Sequence, residues 1–111
     1  MPHLRFRAFD VARLKKISST LVNKLQPLMQ CPPDDFTIEH IASDFVGATK
    51  PYPFVEVLWF CRGQEVQDKS AMIITDIVQA ELEELGQSNK DVAVIFQPLT
   101  PSQYYDNGKH Y

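Results

Sequence analysis

The sequence predicts an α+β fold in which two β-α-β repeats form one four-stranded mixed sheet with two helices on one face. The first observation is that residues 53–60 repeat the alternating apolar pattern of residues 2–9. The second is that each of these segments precedes a stretch with the apolar spacing of a helix, and then another strand-like segment. We expect one domain over residues 1–111, made of repeat one at about 2–46, repeat two at about 53–97 and an irregular tail at 98–111.

The first repeat opens with a predicted strand over residues 3–9, in which Ala8 belongs to the core-facing set. A helix is predicted from an aspartate cap at Asp10 to about residue 29, because apolar residues recur there at spacings of three and four. The proline pair at 32–33 cannot continue this helix. Residues 37–46 then have the composition of a second strand.

The second repeat has the same order of elements. Its strand is predicted at residues 54–60 and is broken by the Arg62-Gly63 pair. A helix is predicted at about 64–85, followed by a fourth strand at 91–96. We expect the acidic residues late in this helix to form a solvated face: Glu81, Glu83 and Glu84.

The face of the sheet opposite the helices combines charged and large apolar side chains. Its predicted members are Arg5, Arg7, Phe54, Glu56, Leu58 and Phe60. Arg5 and Arg7 are expected to pair with Glu39 and Glu56 on neighbouring strands. Because large apolar groups are unfavourable in water, we expect another subunit of the same chain to cover this face.

Composition excludes several classes of protein. The chain has 111 residues and a formal net charge of −3, which disfavours a nucleic-acid partner. It has neither a signal peptide nor an apolar run long enough for a membrane span. Cys31 and Cys61 lack the spacing of metal ligands, and the three histidines are far apart in sequence. We therefore expect a reduced cytoplasmic protein without a metal or cofactor.

Pro2 is the first residue that suggests chemistry. A small second residue generally allows removal of the initiator methionine, and loss of Met1 would leave a secondary amine at Pro2. An α-amino group has an ordinary pKa of about 7.7–8.0, and burial beside cations lowers it, so such an amine is a plausible general base. A proline without any chemical role is the alternative at this position.

The chain resembles the tautomerase superfamily, in the branch that contains macrophage migration inhibitory factor. This resemblance rests on Pro2 at the head, two β-α-β units in about 110 residues and the proline pair after the first helix. Residues 53–69 and 104–108 are more similar still to a bacterial family of uncharacterised tautomerase-like proteins. The resemblance implies a homotrimer with active sites between subunits, each headed by the amino-terminal proline.

The same resemblance implies a keto-enol tautomerase that acts on a small enolisable keto acid. Pro2 would be the general base, and Arg62 would hold the substrate carboxylate through two parallel hydrogen bonds. Lys50 and Tyr104 are further candidates for substrate binding. Lys50 is also a candidate for lowering the pKa of Pro2, and either Tyr104 or Tyr105 would supply an acid from the tail. Arg5 and Arg7 are other cations that would lower the pKa of Pro2.

Three positions differ from macrophage migration inhibitory factor. Cys31 replaces its lysine before the proline pair, and Ala93 and Ile95 replace its tyrosine and asparagine on the fourth strand. The alternative function is therefore a non-catalytic homo-oligomeric binding or interaction protein on the same fold. Each candidate also has a structural alternative: Arg62 paired with Glu65, Lys50 solvated in its loop, and Tyr104 in packing.

Overall fold

The computed structural model of the chain describes residues 2–47, 50–87 and 89–111. Met1 lies outside the described residues, so the structure does not test its expected removal. The first repeat consists of β1 (His3–Arg7), α1 (Val11–Met29) and β2 (Thr37–Ile41), and the second of β3 (Phe54–Trp59), α2 (Gln64–Glu84) and β4 (Ala93–Pro98). The tail, predicted to be irregular, contains a short hairpin of β5 (Tyr105–Asp106) and β6 (Lys109–His110).

The four long strands form one mixed sheet in the order β2-β1-β3-β4. Each repeat contributes a parallel pair, β1 with β2 and β3 with β4, and the two central strands β1 and β3 are antiparallel. The predicted fold class is therefore confirmed. No helix among the described residues is long and apolar enough to cross a membrane.

A local two-fold relation connects the repeats. Arg5 lies directly opposite Glu56, its counterpart in the second repeat, so the relation is centred on this pair. Pro2 and Pro53 are both buried at the start of their strands. The carbonyl of Pro2 accepts a hydrogen bond from Thr37 N–H at 3.1 Å, and that of Pro53 accepts one from Ala93 N–H at 3.0 Å. These matched bonds start the parallel pair in each repeat.

Strand β1 is shorter than predicted because the backbone adopts a left-handed conformation at Ala8. Ala8 has φ 58°, a left-handed conformation, and the strand ends at Arg7. This change allows Phe9, and not Ala8, to enter the core, where it is 7% exposed. Burying a phenyl ring gains about 1.5–3 kcal/mol, which offsets the left-handed cost of about 1–2 kcal/mol.

Strand β2 also ends early, at Ile41 and not at residue 46. Among the described residues its only strand neighbour is β1, and the pairing of the two strands stops at Arg7 with Ile41. Beyond Ile41 the described part of the chain offers no strand for it to pair with, and Val46 is 96% exposed. Strand β4, in contrast, extends to Pro98, because β3 offers it a partner as far as Trp59.

Both helices cover the same face of the sheet. The side chains of the central strands on this face are almost fully buried: Leu4, Phe6, Val55, Val57 and Trp59. Helix α1 packs a stripe of buried residues against them, at the predicted spacing of three and four: Leu14, Ile17, Leu21, Leu25 and Met29. Asp10 caps this helix, as expected, by accepting hydrogen bonds from the backbone N–H groups of Ala12 and Arg13.

The expectation of a solvated acidic face on α2 is wrong for Glu81. This residue is only 7% exposed, and it contacts Arg13 and Lys16 of α1, each at 3.1 Å. Glu84 accepts from the same two cations at 2.8 Å each. The hydrogen bond to Glu81 raises the pKa of Arg13, and the hydrogen bond from Lys16 lowers the pKa of Glu84. These four residues thus connect the two helices.

We predict that Glu81→Gln lowers the free energy of unfolding by about 1–2 kcal/mol, because it weakens charge-assisted bonds at a buried position. Urea unfolding followed by circular dichroism measures the change. Glu83→Gln is the matched control, since the side chain of Glu83 is 72% exposed and should change stability by less than about 0.5 kcal/mol. Equal stability of the two variants would show that the contacts of Glu81 contribute nothing.

Candidate active site

Pro2 lies where the beginning of β1 meets the end of β3. The antiparallel pairing of these strands places His3 opposite Leu58, so the residues that follow β3 come close to Pro2. Pro2 is buried, and its carbonyl is bonded to Thr37. Proline has no N–H to donate to a sheet, which suits this first position of a strand.

A small cleft opens beside Pro2 at this end of the sheet. It is lined by Pro2, Met29, Cys31, Trp59, Phe60 and Arg62. The enclosed space is about 10 Å³, close to the smallest volume that holds one water molecule. Two of the residues chosen from the sequence, Pro2 and Arg62, thus line the same cleft within one chain.

Arg62 reaches the cleft from the turn between β3 and α2. Gly63, the next residue, has φ 101° and ψ 161°, a region open essentially to glycine alone, and it begins the helix. Arg62 is exposed at the rim of the cleft. The alternative pairing with Glu65 does not occur, because Glu65 contacts Lys69 at 3.0 Å. Within the part of the chain that the structure describes, Arg62 forms no ion pair.

Cys31 is the second polar group that the cleft encloses. Its thiol is 9% exposed, and burial raises its pKa, while the charge of Arg62 acts in the opposite direction. The thiol is therefore protonated at neutral pH. Both cysteines are free. Cys61 is exposed, and its sulfur accepts a hydrogen bond from Gly63 N–H at 3.4 Å.

Trp59 was not among the residues chosen from the sequence. Its indole is 2% exposed and packs against Phe96 with ring centroids 5.2 Å apart. The indole nitrogen Nε1 is buried and has no hydrogen-bond partner among residues 2–47, 50–87 and 89–111. Strand periodicity predicts only that Trp59 is a core residue. The one further indication in the sequence is its position at the end of a strand, four residues before the glycine that caps the next helix.

Tyr104 contacts the cleft only through other residues. Its hydroxyl lies 2.8 Å from Nε2 of His3, and its ring meets the edge of Phe60, which lines the cleft, at 5.4 Å. In the tautomer with the proton on Nδ1, His3 donates to Thr37 Oγ1 and accepts from Tyr104. Burial lowers the pKa of His3 and raises the pKa of Tyr104. The tail is thereby anchored next to Pro2.

Lys50 lies at the opposite end of the sheet. It lines a depression with Ala8, at the end of β1, and Pro53, at the start of β3. The structure therefore does not bring Lys50 to the Pro2 cleft of the same chain. By the two-fold relation this depression is the counterpart of the cleft, since Pro53 corresponds to Pro2.

The two arginines of β1 have different neighbours. Arg5 pairs with Glu39 at 3.1 Å, as expected. The expected pair of Arg7 with Glu56 is not formed: the Arg7 guanidinium lies 5.1 Å above the ring of Phe54, and Glu56 accepts a hydrogen bond from Gln97 at 2.9 Å. Stacking on an aromatic ring suits a guanidinium, which is weakly hydrated. Within residues 2–47, 50–87 and 89–111, no cluster of three histidine, cysteine or carboxylate side chains is arranged to hold a metal ion.

Comparison with known proteins identifies relatives along the whole chain. The family model described as "Domain of unknown function (DUF1904)" matches residues 1–110. A protein of unknown function from Vibrio cholerae is 38% identical with a TM-score of 0.86, over 99% of this chain and 87% of that one. A DUF1904 domain from Sebaldella termitidis is 32% identical with a TM-score of 0.83, over 100% of both chains.

More distant relatives share the fold. Macrophage migration inhibitory factor from Toxoplasma gondii has a TM-score of 0.70 at 13% identity, over 98% of this chain and 99% of that one. No curated protein matches the chain. The predicted resemblance in fold to macrophage migration inhibitory factor is confirmed, and so is the predicted match to a family of uncharacterised members.

We predict that the stability of the protein falls as His3 takes up a proton. Burial lowers the pKa of His3, so the folded state keeps the ring neutral while the unfolded chain protonates it below its ordinary value of 6.5. The contribution of His3 is thus complete above that pH and declines below it. Urea unfolding of the wild type and His3→Gln at about pH 7.5 and about pH 5.5 should show a smaller loss in the variant.

The control for this experiment is His110→Gln, at an exposed position in the tail hairpin. It should keep the loss of stability that the wild type shows on acidification. If His3→Gln and His110→Gln lose the same stability, protonation of His3 does not contribute to the pH dependence.

Proposed function

The chain belongs to the DUF1904 family and has the fold of the tautomerase superfamily, and on this basis we propose that it is a tautomerase-like enzyme. In this proposal the nitrogen of Pro2 is the general base for keto-enol interconversion of a small keto acid. The observation that supports it most directly is that Pro2 and Arg62 line one cleft. A base and a cation are the two groups that such a reaction needs.

The environment of Pro2 suits a base near neutral pH. Once Met1 is removed, the nitrogen is a secondary amine at a buried position. Burial and a nearby cation both destabilise the protonated amine, so both lower its pKa from the ordinary range of about 7.7–8.0. The free amine then takes the proton from the carbon next to the carbonyl, and the C–H electrons form the enolate. The protonated nitrogen returns that proton to another atom of the substrate.

Arg62 supplies the positive charge in this scheme. It is exposed at the rim of the cleft and forms no ion pair among the described residues, so its guanidinium is available to a carboxylate. Planar guanidinium and carboxylate groups fit each other through two parallel hydrogen bonds. In the same proposal Tyr104 closes the side of the site next to the tail. Lys50 would contribute only to the site of a neighbouring subunit, because it lies at the opposite end of its own sheet.

We also propose a homotrimer, with sites at the boundaries between subunits. The face of the sheet away from the helices carries half-buried or exposed side chains that another copy would cover: His3, Arg5, Arg7, Phe54, Glu56, Leu58 and Ile95. Such a mixture of aromatic, aliphatic and charged groups is typical of a subunit interface. Two free cysteines support a location in the reducing cytoplasm.

A non-catalytic oligomeric binding protein on the same fold is the second candidate. Ala93 and Ile95 favour it, because they contribute apolar side chains to the open face of β4 and have no proton to donate. The cleft of a single subunit also favours this candidate, because its enclosed volume of about 10 Å³ is too small for a whole keto acid. Enzyme assays distinguish the two candidates.

We predict that Pro2→Ala lowers kcat/KM for an enolisable keto acid such as phenylpyruvate by about 10²-fold, since a positioned base contributes about 10²–10⁴-fold. Mass spectrometry of the untagged protein must first show that Met1 is absent. Pro53→Ala is the matched control, a buried proline with the same backbone hydrogen bond in the second repeat. It should retain the activity of the wild type. The alanine variant keeps a primary amine at this position, so equal rates would show that the proline ring nitrogen is not required, and a retained Met1 would exclude Pro2 as the base.

We further predict that Ile95→Arg dissociates the oligomer. Ile95 is 39% exposed on the open face of the sheet, where an added charge would be buried against a neighbouring copy. Sedimentation analysis should show the wild type as a trimer and Ile95→Arg as smaller species. Met72→Arg, at a position of α2 that is 66% exposed, is the control and should remain a trimer. A monomeric wild type would contradict the proposed assembly.

A further inference from the structure

Trp59, which lines the cleft, carries a buried hydrogen-bond donor that has no acceptor among the described residues. The structure contains three buried side-chain polar atoms without a partner among the described residues: Arg7 Nε, Trp59 Nε1 and Ser70 Oγ. Arg7 stacks on Phe54 and Ser70 belongs to α2, and neither residue lines the Pro2 cleft. Only Trp59 lines the Pro2 cleft.

An unpaired indole N–H at this position is unfavourable unless an acceptor joins it. Burial removes the N–H from water, and the lost hydrogen bond is not replaced by another residue that the structure describes. Phenylalanine or leucine would fill a core position against Phe96 without this penalty. The polar atom of Trp59 therefore indicates an acceptor beyond the residues that the structure describes.

The cleft beside Trp59 suits an anionic oxygen as this acceptor. Its enclosed volume of about 10 Å³ is the size of a single oxygen centre. Arg62 contributes a positive charge at the rim, and no lining residue is a carboxylate. The other reactive groups of the cleft are the amine of Pro2, a base, and the protonated thiol of Cys31. Neither carries a negative charge that would repel an anionic oxygen.

We propose that the indole N–H of Trp59 donates a hydrogen bond to a carboxylate or enolate oxygen of the bound keto acid. This deepens the proposed function, on which it rests, by naming the group that holds the oxygen beside Pro2. An indole nitrogen is only a donor and keeps its proton throughout the ordinary pH range. It therefore stabilises negative charge as it develops on the oxygen, without taking part in the proton transfer.

The chain has one tryptophan, so a single indole ¹H–¹⁵N resonance reports on this atom. We expect it to move downfield in a saturable way when oxalate is added to the full-length protein lacking Met1. Oxalate is planar, carries carboxylate oxygens like the enol of a keto acid, and has no C–H bond to react. Binding is thus measured apart from turnover. Lack of movement, or lack of oxalate binding, would overturn the inference.

Trp59→Phe tests the same contact by removing the N–H and keeping an aromatic ring. Calorimetry should show about tenfold weaker oxalate binding, the usual effect of losing one hydrogen bond to a charged group. Tyr52→Phe, an equivalent loss of one polar atom at the opposite end of the sheet, should bind as the wild type does. Wild-type affinity in Trp59→Phe would mean that the indole meets only water. If this variant does not fold, the indole titration of the wild type decides.

The outcomes separate this inference from the proposed function. Turnover that depends on Pro2, with an indole resonance that oxalate does not move, would leave the enzyme proposal intact and overturn the role of Trp59. A saturable shift of the indole resonance without turnover of any keto acid would support the oxygen site and contradict the tautomerase proposal.

Discussion

The antiparallel pairing of β1 with β3 is the constraint on which the rest of the structure depends. It is centred on Arg5 opposite Glu56, and it brings the start of each central strand to the end of the other. Pro2 therefore meets the segment that contains Trp59 and Arg62, although about sixty residues of chain separate them. The positions of Pro2, Trp59, Phe60 and Arg62 relative to one another therefore depend on the register of β1 with β3, whereas Met29 and Cys31 come from α1 and the turn after it.

The same pairing creates two related ends of the sheet, and the sequence treats them differently. At one end Pro2 shares its cleft with an indole and a guanidinium. At the other end Pro53 shares its depression with Ala8 and Lys50. Both prolines make equivalent backbone bonds, so a structural role for proline applies at both ends. What differs is the surroundings: among the described residues, the Pro2 end combines a candidate base with the unpaired indole N–H of Trp59.

Most of the fold was predictable because strand and helix periodicity report directly on burial. Two of the errors occur where a single residue departs from that periodicity, whereas the early end of β2 and the tail hairpin depend on strand pairing. The left-handed Ala8 exchanges core positions with Phe9, and Glu81 is buried between helices although it is charged. Arg62 was recognisable from its place before a helix-starting glycine. The role of the Trp59 nitrogen was not, because an unpaired donor is a property of three-dimensional neighbours and periodicity predicts only that the ring is buried.

The shelter of Pro2 has two sources within the chain. The core supplies one side, through Met29 and Trp59, and the tail supplies the other, because Tyr104 holds His3 and packs on Phe60. Arg62 lines the cleft and is itself exposed, so this side of the cleft is open to solvent in a single chain. Burial lowers the pKa of an amine only while water is excluded from it. The proposed chemistry and the proposed assembly are therefore linked if a neighbouring subunit reaches the Pro2 end of the sheet, because it would then complete the enclosure of the base.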